Sequence, residues 1–408
     1  MWQIQHQCPQ CGAPVILDET ERLFSCPFCR VRLYLASREC MNYILPPADS
    51  AAEELLFIPY WRFKGMVFSC REFSVSSKII DMSRVAVPVN WMPYSLGIRP
   101  QALKLRCIGP DTRGTFYKPG MSVTDIISLL EGQLDASAKA PLLHRAFIGE
   151  TASMIFAPIV IKDAAPFDAV LNRPIASPSA AGLDALQQVE QKAALQVTFI
   201  PCLCPACGWN LEGEKESIVL VCKNCHSAWH SSLSGLEKIA FALLPGAGAA
   251  PYYLPFWKIQ AGVAGLELSS YADLMKLSNA PVVIKKEMGE MEMSFWVPAF
   301  KIAPDVFLMV AQRITMAQPR EDGKQQFTEA PLHPVTLPLR EAAESIKVLI
   351  AQCAGAKKDV FPKLPEISIQ TKSSMLAYLP FTSSGSEFIN TGMHLSINKN
   401  TLRFGTNL

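Results

Sequence analysis

Eight of the thirteen cysteines in this 408-residue chain fall into two groups that share one spacing. Cys8-x-x-Cys11 is followed, after fourteen residues, by Cys26-x-x-Cys29; Cys204-x-x-Cys207 is followed, after the same interval, by Cys222-x-x-Cys225. Each cysteine of the second group lies 196 residues after its counterpart in the first. A four-thiol constellation constrains a fold more tightly than a hydrophobic pattern does, because it names four backbone points that must converge. Here it does so twice.

The offset of 196 persists beyond the cysteines without a gap, laying FIPYWRFKG, with Pro59, Tyr60 and Trp61, onto YLPFWKIQA, with Pro255, Phe256 and Trp257. Farther on, Trp91 and Pro93 in NWMPYSLGIRP match Trp296 and Pro298 in FWVPAFKIAP at an offset of 205. SVTDIISLLEGQL then stands opposite TLPLREAAESIKVLIAQ, and SMIFAPI opposite SMLAYLPF, with Ser153 and Ser374 being 221 apart. The common order reads as internal duplication. It divides the chain into a cysteine ribbon at 1–40, a body at 41–176, a connecting helix or semi-rigid linker at 177–195, a second ribbon at 196–235 and a second body at 236–408.

Short runs rich in β-branched and aromatic residues, punctuated by proline, predict strands in the bodies: LLFIPYWRF, MVFSCREFSV, SRVAVPV, DVFLMVAQRIT and MHLSINKNTLRF. The segment after each Trp-Pro run predicts a helix. Ser122 with Asp125 resembles a capping box, and Thr336 with Pro338 gives a weaker start signal. The expected class is α+β, internally duplicated, each half a four-cysteine ribbon followed by a β-rich body with a helix.

Four thiolates in two Cys-x-x-Cys knuckles can close a tetrahedral all-sulfur site around Zn²⁺. Gly12 and Gly208 directly follow the first knuckles, where the backbone must turn sharply, and the segments between knuckles carry two apolar runs around an acidic turn, the pattern of a hairpin. Both segments resemble zinc ribbons, the rubredoxin-like knuckle fold; the resemblance covers about 22 residues in each half and implies metal and local fold, not function. The expected ligands are Cys8, Cys11, Cys26 and Cys29 for one structural Zn²⁺ and Cys204, Cys207, Cys222 and Cys225 for a second. Rubredoxin-like iron and a redox-active thiol pair are the competing uses of the same residues. A 22-residue ribbon cannot bury enough apolar surface to offset its chain entropy, whereas structural zinc contributes on the order of 10–16 kcal/mol in small peptide hosts. Cys202, His226 and His230 flank the second group, but the first group has His6, Arg30 and Tyr34 there, so they are not expected as ligands.

Half of the residues are apolar and the formal charge is +2, which gives no strong field to attract nucleic acid or an anionic membrane. The ribbon turns carry Asp18, Glu19 and Glu21 against Arg22, and Glu212, Glu214 and Glu216 against Lys215 and Lys223, a balance of the wrong sign for phosphate contacts. No apolar window reaches the roughly 18 to 20 residues of a membrane span, and the N-terminus lacks a leader pattern, so a cytoplasmic chain is expected. Phosphate-binding loops, nucleophile elbows and metalloprotease motifs are missing, and no histidine–carboxylate cluster nominates a general base. The tryptophan–proline runs read as core strands, with an aromatic docking groove or a small-molecule pocket between the halves as the alternatives. The resulting expectation is a non-enzymatic zinc-binding scaffold that docks protein partners. An enzyme or small-molecule-binding protein is the first alternative, and a nucleic-acid-binding ribbon protein the second.

Overall fold

Strand outweighs helix in the computed structural model, 42% against 20%, and the sheets form two half-barrels. Residues 3–18, 20–36, 40–48, 54–109, 111–135, 140–175, 181–232, 235–246, 251–320 and 323–405 are described. The chain divides into two compact units that interleave in sequence. Unit 1 comprises Met1–Lys64, Asp81–Ser137 and Thr151–Pro201; unit 2 comprises Gly65–Ile80, Ala138–Glu150 and Cys202–Leu408.

The strands up to residue 201 are β1 (Gln3–Gln7), β2 (Pro14–Asp18), β3 (Leu23–Ser25), β4 (Arg32–Ala36), β5 (Met41–Ile44), β6 (Leu56–Arg71), β7 (Ser74–Val85), β8 (Leu105–Cys107), β9 (Thr115–Phe116), β10 (Leu142–Lys162), β11 (Ala165–Asp168), β12 (Arg173–Pro174) and β13 (Thr198–Pro201). All belong to unit 1 except the parts of β6 and β7 within Gly65–Ile80 and of β10 within Ala138–Glu150, which belong to unit 2. The main sheet runs β12-β11-β10-β5-β8-β1-β2, with β6 joined to β10, β7 and β9. The two-residue period of β6 supplies two cores at once. Ile58 and Tyr60 point into one cluster with Ile4, Leu17, Tyr43 and Ile155, while Phe57, Trp61 and Phe63 point into another with Phe116, Ile126 and Phe156. A strand covered on both faces reads as a continuous apolar run, which is why FIPYWRF shows no polar alternation.

Ile126 is carried by the helix Val123–Asp135, whose start is capped as the sequence suggests: Asp125 Oδ2 accepts from the Ser122 amide at 2.9 Å, and Ser122 Oγ accepts from the Asp125 amide at 3.2 Å. A smaller sheet pairs β3 with β4 and β4 with β13, Thr198 lying opposite Ala36 and Pro201 opposite Leu33. The described part of the connecting helix or linker contains no regular helix. It forms two single 3₁₀ turns, Leu183–Ala185 and Lys192–Leu195, rather than an α-helix, and positions 176–180 lie outside the described residues. Only Leu183 is buried in those turns, so no continuous apolar stripe holds a longer helix down.

Unit 2 contains β14 (Val219–Cys222), β15 (Ser227–Ser232), β16 (Gly235–Ile239), β17 (Phe241–Leu243), β18 (Pro251–Ala264), β19 (Phe295–Pro298), β20 (Ser368–Ser384), β21 (Glu387–Asn390) and β22 (Leu395–Asn398). Strands β14 to β16 form one sheet; β19-β18-β20-β21-β22 form another, with β17 added in parallel to β20. Met66 and Phe68 from the β6–β7 hairpin and Ala146 and Ile148 from β10 join the core of this unit with Trp257, Trp296 and Phe307.

Two strand expectations change here. DVFLMVAQRIT is a helix, Pro304–Ala317: Pro304 takes the first turn, and Phe307, Val310, Ala311 and Ile314 are buried at intervals of three and four. Helical spacing prevails over β-branched composition. MHLSINKNTLRF splits into β22 and a short helix, Lys399–Gly405. Among the described residues no helix is long and apolar enough to cross a membrane.

Trp61, Trp91, Trp257 and Trp296 are all buried. Trp61, Trp257 and Trp296 lie in core strands, whereas the run around Trp91 is a loop in which Tyr94 is 70% exposed. The sequence match of Trp91 with Trp296 does not survive. Trp296 lies in β19, whereas Trp91 follows the end of β7 and its indole donates to the Ala181 carbonyl.

Candidate metal centres

Each cluster is assembled from two tight turns at strand ends. Cys8 follows β1; the Gly12 amide donates back to the Cys8 carbonyl at 2.8 Å and the Cys8 amide to the Ala13 carbonyl at 2.9 Å. Cys26 follows β3, with the Arg30 amide donating to the Cys26 carbonyl at 3.0 Å. The second cluster repeats the device: Gly208 amide to Cys204 carbonyl at 2.8 Å, and Cys222 closing β14. Four residues are driven into the left-handed region at corresponding places, Gly12 (φ +71°), Arg30 (+61°), Gly208 (+72°) and His226 (+49°). Only the first of each pair of turns uses glycine; Arg30 and His226 accept a conformation that side chains rarely adopt, which the convergence of four sulfurs over-determines.

The sulfurs meet at metal-ligand spacing. Cys8 and Cys29 Sγ are 3.7 Å apart, Cys11 and Cys26 3.7 Å, Cys204 and Cys225 3.6 Å, and Cys207 and Cys222 3.5 Å. A tetrahedron with metal–sulfur bonds of about 2.3 Å has edges of about 3.8 Å, whereas a disulfide needs about 2.05 Å. Within each cluster all four sulfurs lie within 4.8 Å of one another, so each can hold a metal ion. All eight cysteines named from the sequence are brought together in the two sets expected, and Cys202, His226 and His230 belong to neither. Cys202 is buried, and His226 Nδ1 accepts from the Phe327 amide at 3.1 Å.

Four thiols this close do not titrate alike. Burial raises Cys26, but the amides of Cys29 and Phe28 outweigh it and bring the thiol down to about 6. Cys204 also reaches about 6, where burial is opposed by the Ser227 hydroxyl and the Ala206 and Cys207 amides. Cys222 is pushed up to about 12 by burial and by its sulfur neighbours. Negative charge gathered on one sulfur thus opposes charge on the next, and a dication removes that conflict. The second cluster has additional support. Trp229 Nε1 donates to Ser227 Oγ at 2.8 Å, Ser227 Oγ lies 3.0 Å from Cys225 Sγ, and Asn224 Nδ2 donates to Cys207 Sγ at 3.5 Å.

The hairpin expected between knuckles is realised differently in the two clusters. In the second, Glu212 and Val221 exchange amide–carbonyl bonds of 2.8 and 2.9 Å. Both clusters pair across their knuckles, β1 with β2 and β3 with β4 in the first and Leu203 with Asn210 and β14 with β15 in the second.

Two features escaped the sequence reading. Leu203 and Trp209 beside the Cys204 knuckle are 51% and 60% exposed, and Phe28 within the Cys26 knuckle is 65% exposed. CGWN and CPFC carried that signal, since a knuckle is too thin to bury a large ring next to its cysteines. Unit 1 also holds a cavity of about 1160 Å³, lined by Cys8 and by residues from distant segments including Phe57, Arg106, Arg113 and Phe199. Compared with protein-family models, with curated proteins and with solved structures, the chain finds no match.

Proposed function

We propose that this chain is a non-enzymatic, internally duplicated scaffold whose two four-cysteine ribbons hold structural Zn²⁺ and whose exposed knuckles dock a protein partner. Closed sets of four thiolates suit structural zinc, since catalytic zinc keeps an open position.

Duplication is supported by hydrogen bonds that recur in the same order. The Pro59 carbonyl accepts from Ala86 and the Pro255 carbonyl from Ala299. The Ala86 carbonyl accepts from the successive amides of Gly120 and Met121, and that of Ala299 from Thr336 and Leu337. Trp61 Nε1 donates to the Met121 carbonyl and Trp257 Nε1 to the Leu337 carbonyl, each just ahead of a helix. The Tyr117 amide donates to Phe57 and the His333 amide to Tyr253. Matching Ala86 with Ala299 replaces the match of Trp91 with Trp296.

The observation that carries the docking role is the exposure of Leu203, Trp209 and Phe28. Aromatic rings such as Trp209 and Phe28, left in water beside a metal-fixed turn with Leu203 next to them, are the kind of side chain that anchors protein interfaces. The test is affinity capture with nuclease treatment, comparing the native chain with W209D at equal zinc content. A stoichiometric protein partner lost only from W209D supports the proposal; capture that nuclease abolishes assigns nucleic-acid binding instead; equal capture by both forms overturns the knuckle role.

A second reading, small-molecule binding, is favoured by the unit 1 cavity, whose lining combines the Arg106 and Arg113 guanidiniums with the Phe57 and Phe199 rings. Native mass spectrometry of the purified chain, searching for a co-purifying small molecule, tests it.

A further inference from the structure

We propose that unit 2 binds a small oxyanion, a phosphate or carboxylate group, in the pocket between Lys258 and Arg320. The starting point is a charge present in one strand pair and missing from another. Three residues beyond Pro59 on β6 stands Arg62; five residues before Ala86 on β7 stands Asp81. Arg62 is almost fully buried and forks onto Asp81, with Nε to Oδ1 and Nη2 to Oδ2 both at 2.8 Å. The same steps from Pro255 and Ala299 reach Lys258 on β18 and Ser294 just ahead of β19. The cation is kept and its carboxylate is replaced by a hydroxyl.

A pocket of about 240 Å³ lies at that place, lined by Lys258, Gln260, Tyr271, Glu292, Ser294 and Arg320 among others. Lys258 Nζ sits over the Trp296 ring at 5.4 Å, and the Arg320 guanidinium over the Tyr271 ring at 5.4 Å. Among the described residues neither cation has a carboxylate within 4.0 Å. Ring faces hold both heads in place without neutralising them.

The polar rim is already committed. Gln260 Nε2 donates to Glu292 Oε2 at 2.8 Å and its Oε1 accepts from Ser373 at 2.6 Å, while the Gln318 amide is bonded to Ser294 and Thr315. What remains open is the charge of an ammonium and of a guanidinium fork, the donor pair that recognises phosphate and carboxylate oxygens. Glu292 leaves a net charge of +1 on the lining, and the volume falls below the about 300 Å³ at which drug-sized pockets begin, so the ligand is a small anion or the anionic head of a larger molecule.

The strand comparison rests on the duplication proposed above; the pocket does not. The probe is inorganic phosphate, with acetate as the carboxylate and chloride at equal ionic strength as control, read by the rise in Tm of the zinc-loaded chain and by calorimetric titration. Saturable binding of phosphate or acetate, weakened at least tenfold by K258M and by the surface change R320Q, is expected, and the stronger probe identifies the head group. Binding no stronger than chloride, or unchanged in R320Q, overturns the site. S294D tests the comparison separately. Loss of anion binding with a raised Tm shows an internal counter-ion restored, whereas loss from K258M and R320Q without that stabilisation retains the site and removes the duplication argument. Anion binding that persists in W209D separates this site from partner docking.

Discussion

The Trp257 indole donates to the Leu337 carbonyl at 2.8 Å, tying the central strand of unit 2 to the residue before the cap of the helix Leu339–Glu344. Trp61 and Met121 make the corresponding bond at 2.9 Å in unit 1. Both indoles are buried, and Leu337 is fully buried as well, so its carbonyl has no water to fall back on.

W257F keeps an aromatic ring in the core and removes the donor. A buried carbonyl left without a partner costs about 1–3 kcal/mol, and urea unfolding of W257F should show a lowered midpoint with an unchanged slope. W61F should lose less, since Met121 is half-buried and its carbonyl is nearer to water.

Removing one ligand from one cluster should leave the other intact. C26S and C222S are each expected to lower bound zinc from two per chain to one, measured by elemental analysis, while the double variant binds none. Cobalt(II) substitution of the native chain should give thiolate charge-transfer bands and tetrahedral ligand-field bands at two equivalents.

The Arg62–Asp81 pair has one nearly inaccessible partner, with side chains 2% and 26% exposed. D81N should cost about 3 kcal/mol, because it leaves the buried guanidinium without its counter-charge. R62M/D81N should recover much of that loss in a double-mutant cycle, since an apolar side chain tolerates the site better than an unpaired charge.

Burial pushes His333 down to about 4, and its Nδ1 lies 3.0 Å from the Tyr252 hydroxyl with the Phe300 ring edge-on at 5.0 Å. The folded state holds the neutral imidazole. Between pH 6.5 and about 4 the unfolded chain takes up the proton first, so stability falls as pH falls, by about 3 kcal/mol across the window, and this contribution is fully present above pH 6.5. Thiolate protonation releases metal in acid as well, so the informative quantity is the difference between the native chain and H333Q, whose midpoint should fall less steeply over that range.

The ligand sets were legible because a thiol quartet is a local code: Cys8 to Cys29 spans so few residues that spacing alone fixes which sulfurs can meet. The burial of Trp61 and Trp257 was legible for the same reason, through uninterrupted apolar runs. The helix Pro304–Ala317 was obscured by its valines and isoleucine, although Phe307, Val310 and Ile314 carry the helical period. The pairing of Trp91 with Trp296 failed because a shared Trp-x-Pro pattern says nothing about which carbonyl a strand residue bonds. Two lone alanines, Ala86 and Ala299, hold the matching positions. The open charge at Lys258 was invisible, since it depends on what Ser294 does not supply.

The tip of the β6–β7 hairpin belongs to unit 2, most of which is encoded after residue 201. During synthesis Met66 and Phe68 therefore emerge long before Phe307, whose ring ends 5.9 Å from that of Phe68. Until then the nascent chain carries an apolar hairpin with nowhere to bury it, a natural grip for a ribosome-associated chaperone and a point of aggregation if translation stalls. A fragment ending at residue 195 would keep that hazard permanently and would also lack β13, one of the two strands that β4 pairs with.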